Sequence, residues 1–177
     1  MEKHPEIQFL PKEEIKKYQE GRLKEALEYV WNKSPYYRNI YTQKGIDINR
    51  IRTLEDLCQL PVTTKSDLQL HGNEFRCVAP EDIIDYATTS GTLGDPVTFT
   101  ETEEDLCHLA YNEQLSFQTA GCTKQDILQE MVTIDRRFMA GLAYFLGARE
   151  LGMGVVRVGN GIPELQWDTI NRIHPTV

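Results

Sequence analysis

The fold is decided by nine residues, Thr88-Thr89-Ser90-Gly91-Thr92-Leu93-Gly94-Asp95-Pro96. Four hydroxyl side chains and two glycines fill the first seven positions, and an acid and a proline follow. Strand patterns flank the stretch at residues 83–87 and 97–100. Glycine lets backbone N–H groups approach a ligand and hydroxyls donate to anionic oxygens, so the stretch predicts a phosphate-binding loop. The alternative is an ordinary hairpin turn, because Gly, Ser, Asp and Pro are common turn residues.

The loop resembles the phosphate loop of the adenylate-forming enzymes, usually written Ser/Thr-Ser/Gly-Gly-Thr-Thr-Gly-Lys/x-Pro. Further stretches narrow the resemblance to the phenylacetate–coenzyme A ligases and their relatives, the coenzyme F-390 synthetases. These stretches are Ser34-Pro35-Tyr36-Tyr37-Arg38 with Lys44-Gly45-Ile46, Leu54-Glu55-Asp56-Leu57 with Leu60-Pro61-Val62-Thr63-Thr64-Lys65-Ser66-Asp67-Leu68, and Ile173-His174-Pro175-Thr176-Val177. Their order and spacing agree with the family along nearly the whole chain.

The resemblance implies that part of the loop binds the phosphates of ATP. The residues it assigns to this role are Thr89, Ser90, Gly91, Thr92 and Gly94. Two positions depart from the family: Leu93 replaces a usual threonine, and Asp95 stands where many relatives carry lysine. Two like charges about 4 Å apart cost about 1 kcal/mol in water. Asp95 is therefore expected to lower the affinity for phosphate without excluding binding.

Family members activate a carboxylic acid with ATP, form an acyl adenylate and transfer the acyl group to coenzyme A. They run to more than twice the 177 residues of this chain. The magnesium-binding glutamate, the ribose-binding aspartate and the catalytic lysine of the family lie beyond the matched part. We therefore expect the intact family to use ATP, Mg²⁺ and coenzyme A. We expect this chain to contain no catalytic or metal-binding residue and to show no activity alone. The alternatives are a non-catalytic remnant or interaction domain, and one half of a split enzyme.

The N-terminal region, residues 1–80, is predicted to be mainly helical. Apolar residues recur at helical spacing from Glu13 to Trp31, and Ser34-Pro35 is typical of a helix start. Gly45 is expected to end that second helix. Thr53 and Thr64 are each followed three residues later by an acid, which resembles a capping box.

Residues 81–177 alternate between strand and helix patterns. Strands are predicted at 83–87, 97–100, 127–133 and 153–158, and helices at 103–120, 138–150 and 163–173. This order predicts an α/β fold with a parallel-stranded sheet and crossover helices. Through the resemblance it is part of the large N-terminal domain of an adenylate-forming enzyme, with the C-terminal portion absent. Such truncation leaves apolar surface exposed, so we expect self-association or a complementary C-terminal chain.

A second candidate site is Asp135-Arg136-Arg137-Phe138, just after a predicted strand. Relatives tend to carry Tyr and Gly beside the acyl pocket here, so an acid and two arginines put phenylacetate itself in doubt as the substrate. Arginine binds carboxylates and phosphates bidentately, so Arg136 and Arg137 are candidates for contact with an anionic substrate. The alternative is a solvated helix start with Asp135 as the N-cap.

Composition excludes several classes. A formal net charge of −8 and the lack of a long basic run argue against a nucleic-acid-binding protein. The longest nearly apolar run, residues 138–148, is too short to span a bilayer, and the first residues lack a signal-peptide pattern, so a cytoplasmic location is expected. Cys58, Cys77, Cys107 and Cys122 are too widely spaced for a common zinc site and are expected to be free thiols.

Overall fold

The computed structural model describes residues 5–89 and 95–177. The elements follow one another in the order α1 (Lys12–Lys33), α2 (Pro35–Gln43), α3 (Lys65–His71), β1 (Ile83–Thr88), β2 (Thr98–Thr102), α4 (Glu103–Thr119), β3 (Ile127–Glu130), α5 (Met139–Leu151), β4 (Gly154–Arg157) and α6 (Pro163–Ile173). Short 3-10 helices lie at Pro5–Phe9, Ile48–Arg50, Leu54–Gln59, Gly72–Phe75 and Pro80–Asp82. The described residues divide into two compact units, residues 5–80 with 95–97 and residues 81–89 with 98–177.

The first unit is helical and packs around the buried side chains of Leu27, Tyr41 and Ile51. The cap predicted at Ser34 is confirmed: its hydroxyl is fully buried, donates to the Glu74 carbonyl at 3.0 Å and accepts from the Tyr37 N–H at 3.4 Å. Because one hydroxyl serves both the helix start and a distant carbonyl, it ties α2 to the segment at the end of this unit.

The other local signals in this unit are also confirmed. Gly45 follows α2 with φ +63°, a conformation that glycine adopts at little cost. Thr53 and Thr64 each form a capping box, with Asp56 and Asp67 as the acids. In each box the acid accepts from the backbone N–H of its threonine, at 2.9 Å and 2.7 Å respectively.

The second unit contains two separate strand pairs. Strands β3 and β4 are parallel and are joined by α5, which confirms the predicted crossover. Strands β1 and β2 instead pair in antiparallel fashion, which corrects the expectation of a uniformly parallel sheet. The reason is the length of the connection, since the residues between Thr88 and Thr98 are fewer than the dozen or more that a parallel crossover needs.

Strand β3 has a second neighbour besides β4. The Gln129 N–H donates to the Val177 carbonyl at 2.8 Å, and the Val177 N–H donates to the Ile127 carbonyl at 3.2 Å. The residues after α6 therefore run beside β3 in a parallel register, and β3 is the central strand of this layer.

Helix α5 packs closely on α4 through Gly147. A Cβ atom at Gly147 would lie 2.3 Å from the Glu113 Cβ and 2.9 Å from the Glu113 carbonyl carbon. The next residue, Ala148, is fully buried in a cluster with Leu128 and Met153. A glycine at this position thus sets how close α5 lies to α4 and, through Ala148, to the sheet.

We predict that Gly147→Ala lowers the free energy of unfolding by about 1–3 kcal/mol, because the added methyl group must displace helix backbone. Gly72→Ala is the matched control, since Gly72 is in the right-handed helical region and a Cβ atom there meets open space. The control should change stability by no more than about 0.5 kcal/mol. Urea unfolding followed by circular dichroism measures both; equal midpoints for the two variants would contradict the close approach.

Candidate functional site

The candidate phosphate loop connects the ends of two paired strands. Thr88, the last residue of β1, is opposite Thr98, the first residue of β2. The two strands that flank this stretch are therefore antiparallel neighbours. Thr89 is described and exposed. The remaining residues predicted to bind phosphate lie outside the described residues: Ser90, Gly91, Thr92 and Gly94. Their phosphate-binding role stays a prediction.

The far end of the loop is anchored within the first unit. The side-chain amide of Gln69 donates to the Asp95 carbonyl, and Val97 is buried with 5% of its surface exposed. The Asp95 residue itself is exposed. An exposed carboxylate is solvated and screened. The repulsion expected between Asp95 and a bound phosphate is therefore the value in water, about 1 kcal/mol at 4 Å.

The start of the loop is fixed by the segment that follows β3, residues 131–138. The Thr88 N–H donates to the Arg137 carbonyl at 3.0 Å. Arg136 and Arg137 have φ of +59° and +62°, in the left-handed region that L-residues rarely adopt. The structure therefore brings the backbone of the second candidate site next to the entrance of the first, while both arginine side chains are exposed.

The interpretation of Asp135 as a helix N-cap is wrong. Helix α5 begins at Met139, and the residue before it, Phe138, makes no side-chain capping hydrogen bond. The Asp135 carboxylate instead accepts from the Thr133 hydroxyl and lies 3.9 Å from the Arg136 guanidinium. The hydrogen bond from Thr133, and after it the charge of Arg136, lower the pKa of Asp135.

Helix α5 also packs against the segment at residues 131–138. Gly141 is buried, and a Cβ atom there would lie 2.1 Å from the Thr133 carbonyl oxygen. The backbone of the segment thus rests directly on the first turn of α5. A side chain at position 141 would push the segment, and with it the Arg137 carbonyl, out of place.

Sequence reasoning missed a pair of facing carboxyl groups on β1 and β2, in which Glu101 is buried and Asp85 is half-buried. Glu101 is 7% exposed and is opposite Asp85 in the register of the two strands. Burial is the main cause that raises the pKa of Glu101, followed by the charge of Asp85 and a hydrogen bond with it. A negative charge on a facing acid disfavours the ionised form of its neighbour. The signal was available, because Asp85 interrupts an otherwise apolar strand pattern.

A second buried acid, Glu130, ends β3 immediately before the 131–138 segment. It is 3% exposed, and neither carboxyl oxygen has a hydrogen-bond partner among the described residues. Burial raises the pKa of Glu130, and the charge of Arg157, its neighbour on β4, opposes the rise. Ligands of open α/β sheets bind outside the carboxyl ends of the strands, which is where Glu130 lies.

Within residues 5–89 and 95–177, no group of three or more His, Cys, Asp or Glu side chains could hold a metal ion. None of the helices described is long and apolar enough to cross a membrane. All four cysteines are free thiols; Cys58 and Cys107 are exposed, and Cys77 and Cys122 are partly buried.

Comparison with known proteins shows which proteins this chain is similar to. No protein-family model matches the chain. A phenylacetate-coenzyme A ligase of Thermus thermophilus is 34% identical over 174 residues, which are 98% of this chain and 39% of that protein. A protein of the same name from Escherichia coli (strain K12) is 29% identical over 92% of this chain and 37% of its own length. The chain is homologous to the N-terminal part of the phenylacetate–coenzyme A ligases.

Solved structures agree with this family. Two crystal structures of 2-hydroxyisobutyryl-CoA ligase match with TM-scores of 0.83 and 0.86 at 24% and 23% identity. The matches cover 94% and 97% of this chain but 36% and 41% of those chains. The fold is therefore that of the N-terminal part of an adenylate-forming CoA ligase. The chain spans about two fifths of the length of the phenylacetate–coenzyme A ligases it matches.

The pKa values of Glu101 and Glu130 are raised above 4.5, the ordinary pKa of glutamate. We predict that the free energy of unfolding falls as the pH rises from about 4.5 through these raised pKa values. Each acid binds its proton more tightly in the folded state than in the unfolded chain, so ionisation above that range favours unfolding. Glu130→Gln should reduce this fall and raise the stability at pH 7.

The matched control is Glu81→Gln, at an exposed position. Urea unfolding at a series of pH values measures the three proteins. A Glu130→Gln variant that keeps the full pH dependence of the parent would show that this acid is not held protonated by burial.

Proposed function

We propose that this chain forms the N-terminal part of an ATP-dependent, AMP-forming acid–CoA ligase, and that the loop at residues 88–96 binds the phosphates of ATP. The observation that carries the proposal is the 34% identity to a phenylacetate-coenzyme A ligase over 98% of the chain. The two structures of 2-hydroxyisobutyryl-CoA ligase are complexes with an acyl adenylate, 2-HIB-AMP, and one of them contains CoA as well. Both ligands belong to the same reaction type.

Described contacts at the entrance and at the exit of the loop support the proposal, each within its own unit. Thr88 at the entrance is fixed by the Arg137 carbonyl, and Val97 at the exit is buried. Hydroxyls of Ser90 and Thr92 and the backbone N–H groups beside them would orient the phosphates of ATP while the substrate carboxylate attacks the α-phosphorus. ATP supplies the phosphoanhydride that activates the acid. Hydrogen-bond donors held in place stabilise the developing charge without reorganising.

The described residues do not fit a magnesium site, because none of them form a cluster of ligands. A magnesium ion of the intact ligase would be held by residues in the part of the relatives that this chain does not match. Removing one preorganised donor typically costs about 10²–10³ in rate. A chain that lacks several such groups should show no measurable turnover alone.

The loop is tested in a fusion of this chain to the C-terminal three fifths of the Thermus thermophilus relative. We predict that the fusion exchanges pyrophosphate into ATP in a carboxylic-acid-dependent reaction, and that Ser90→Ala with Thr92→Ala raises the KM for ATP at least tenfold. Asp95→Lys, which restores the residue common in relatives, should preserve or lower that KM.

The control is Thr98→Ala, at an exposed position of β2 outside the loop, which should leave the KM for ATP unchanged. Equal KM values in all the variants would remove the loop from the ATP site. A fusion that folds but never exchanges pyrophosphate would instead support a non-catalytic remnant or interaction domain.

We further propose that Arg136 and Arg137 favour an anionic substrate. Their side chains are exposed, and the Arg137 backbone lies beside the loop entrance. Asp135 faces Arg136 at 3.9 Å and partly neutralises it, which leaves Arg137 as the stronger candidate. A planar guanidinium binds a second carboxylate bidentately.

The variants that test this role are Arg136→Gly and Arg137→Gly, because glycine keeps the left-handed backbone while removing the guanidinium. In the fusion, the double variant should lose at least tenfold in kcat/KM for dicarboxylic acids and change little for neutral aromatic monocarboxylic acids. No loss for either class of acid would assign the two arginines to the solvated surface, and an equal loss for both classes would contradict a preference for anionic substrates.

The proposal also includes a complementary chain or self-association. Trp167 and Ile170 lie one turn apart on α6 and are 65% and 39% exposed. On β1, Ile84 and Tyr86 are 55% and 49% exposed. Apolar side chains of this size in contiguous positions mark interaction surfaces.

We predict that the isolated chain sediments as species larger than a monomer at concentrations of tens of micromolar. Trp167→Arg with Ile170→Arg should shift it to a monomer, because charge cannot be buried unpaired at an interface. Asn171→Arg adds charge at an exposed position of the same helix and is the control. Analytical ultracentrifugation measures all three; a monomeric parent chain would contradict an apolar contact between copies through α6.

A further inference from the structure

A groove of about 510 Å³ lies in the first unit, between α1 and the turn at residues 48–52. We call it the α1 groove. Its floor includes the buried side chains of Leu27 and Ile51, and its rim carries Lys17, Lys24 and Arg52. Its volume is within the range of small-molecule sites, and an apolar floor with a few charged groups is their usual composition.

Gly21 lines the α1 groove at the middle of a 22-residue helix. Glycine inside a helix costs about 1 kcal/mol relative to alanine, so a packing or functional reason is expected. Packing does not explain the glycine, because a Cβ atom at Gly21 would meet nothing within 4 Å in the described structure. The missing side chain instead leaves the helix backbone accessible to a ligand in the groove.

The charges on the rim favour an anion. Lys17 has no ionic partner among the described residues, and the Arg52 guanidinium uses its Nε–H on the Asn49 carbonyl at 3.2 Å. The acids of the groove are engaged: Glu20 accepts from the Leu54 N–H at 3.3 Å, and Glu28 pairs with Lys24 at 3.9 Å. Lys17 and Arg52 thus remain available in a chain whose net charge is −8.

We propose that the α1 groove binds a small aromatic carboxylate, with its ring against Gly21 and Leu27 and its carboxylate against Lys17 and Arg52. Residues 17, 21 and 24 share one face of α1, because helix positions three and four apart are neighbours. In the proposed complex the ring lies over Gly21, where a Cβ atom would meet nothing within 4 Å. The groove lies in the helical first unit, so the inference does not depend on the ATP-binding role of the loop.

The test is a titration of the full, ¹⁵N-labelled chain with benzoate, benzyl alcohol or inorganic phosphate, followed by NMR. Benzoate should shift the amide resonances of Gly21, Leu27 and Ile51 at millimolar concentration. Benzyl alcohol, which lacks the charge, and phosphate, which lacks the ring, should shift them much less. No response to benzoate, or an equal response to phosphate, would overturn the proposal.

Variants distinguish benzoate binding in the α1 groove from nonspecific binding. Lys17→Ala and Arg52→Ala should each raise the dissociation constant for benzoate severalfold, whereas Arg22→Ala, on α1 outside the groove and paired with Glu25, should leave it unchanged. Gly21→Leu should fill the groove and abolish binding while keeping or raising the thermal midpoint, since leucine favours helix. Benzoate binding that survives Gly21→Leu would refute the site.

Discussion

The hydrogen bond from the Thr88 N–H to the Arg137 carbonyl is the contact on which the candidate site depends. It joins the last residue of β1 to the segment that follows β3, two parts of the chain that are far apart in sequence. The loop thus leaves its strand at a defined point, beside a backbone held in the left-handed conformation at Arg136 and Arg137. Conformations of this kind cost L-residues about 1–2 kcal/mol each, and they persist only where surrounding packing enforces them.

That packing comes from α5. Gly141 lets the Thr133 carbonyl rest on its first turn, and Gly147 lets its second half lie against α4. Both glycines allow a neighbouring part of the backbone to lie close to α5. Larger side chains at either position would move the segment that carries the Arg137 carbonyl. The parallel β3–α5–β4 unit is therefore the support of the site, while the antiparallel hairpin carries the loop. The relation to the phenylacetate–coenzyme A ligases gives this arrangement its proposed role, the orientation of phosphates.

Local sequence signals predicted much of the fold. The predicted helix caps at Ser34, Thr53 and Thr64 and the predicted helix end at Gly45 are all found in the structure. Such caps and turns can be predicted because they are determined by a few neighbouring residues. The strand and helix positions of residues 81–177 follow from periodicity for the same reason. The parallel β3–β4 pair followed from the order of elements, which requires a crossover between them.

Contacts between distant residues could not be predicted in this way. Asp135 has the right residue type for an N-cap, but the Thr133 hydroxyl binds its carboxylate and α5 begins later. Glu130 is buried beside Arg157 of β4, and a polar residue at the end of a strand pattern gives no sign of such burial. The antiparallel direction of β1 and β2 departs from the predicted parallel sheet, because their connection is shorter than a parallel crossover needs.

Amide hydrogen exchange at Thr88 tests the central claim most directly. We predict that the Thr88 amide exchanges as slowly as the amides inside β1, because its N–H is bonded to the Arg137 carbonyl. Replacing Gly141 with valine should accelerate that exchange selectively, since the added side chain displaces the segment that carries the acceptor. A Thr88 amide in the parent chain that exchanges at the rate of an unprotected residue would contradict the claim that the segment after β3 fixes the entrance of the loop.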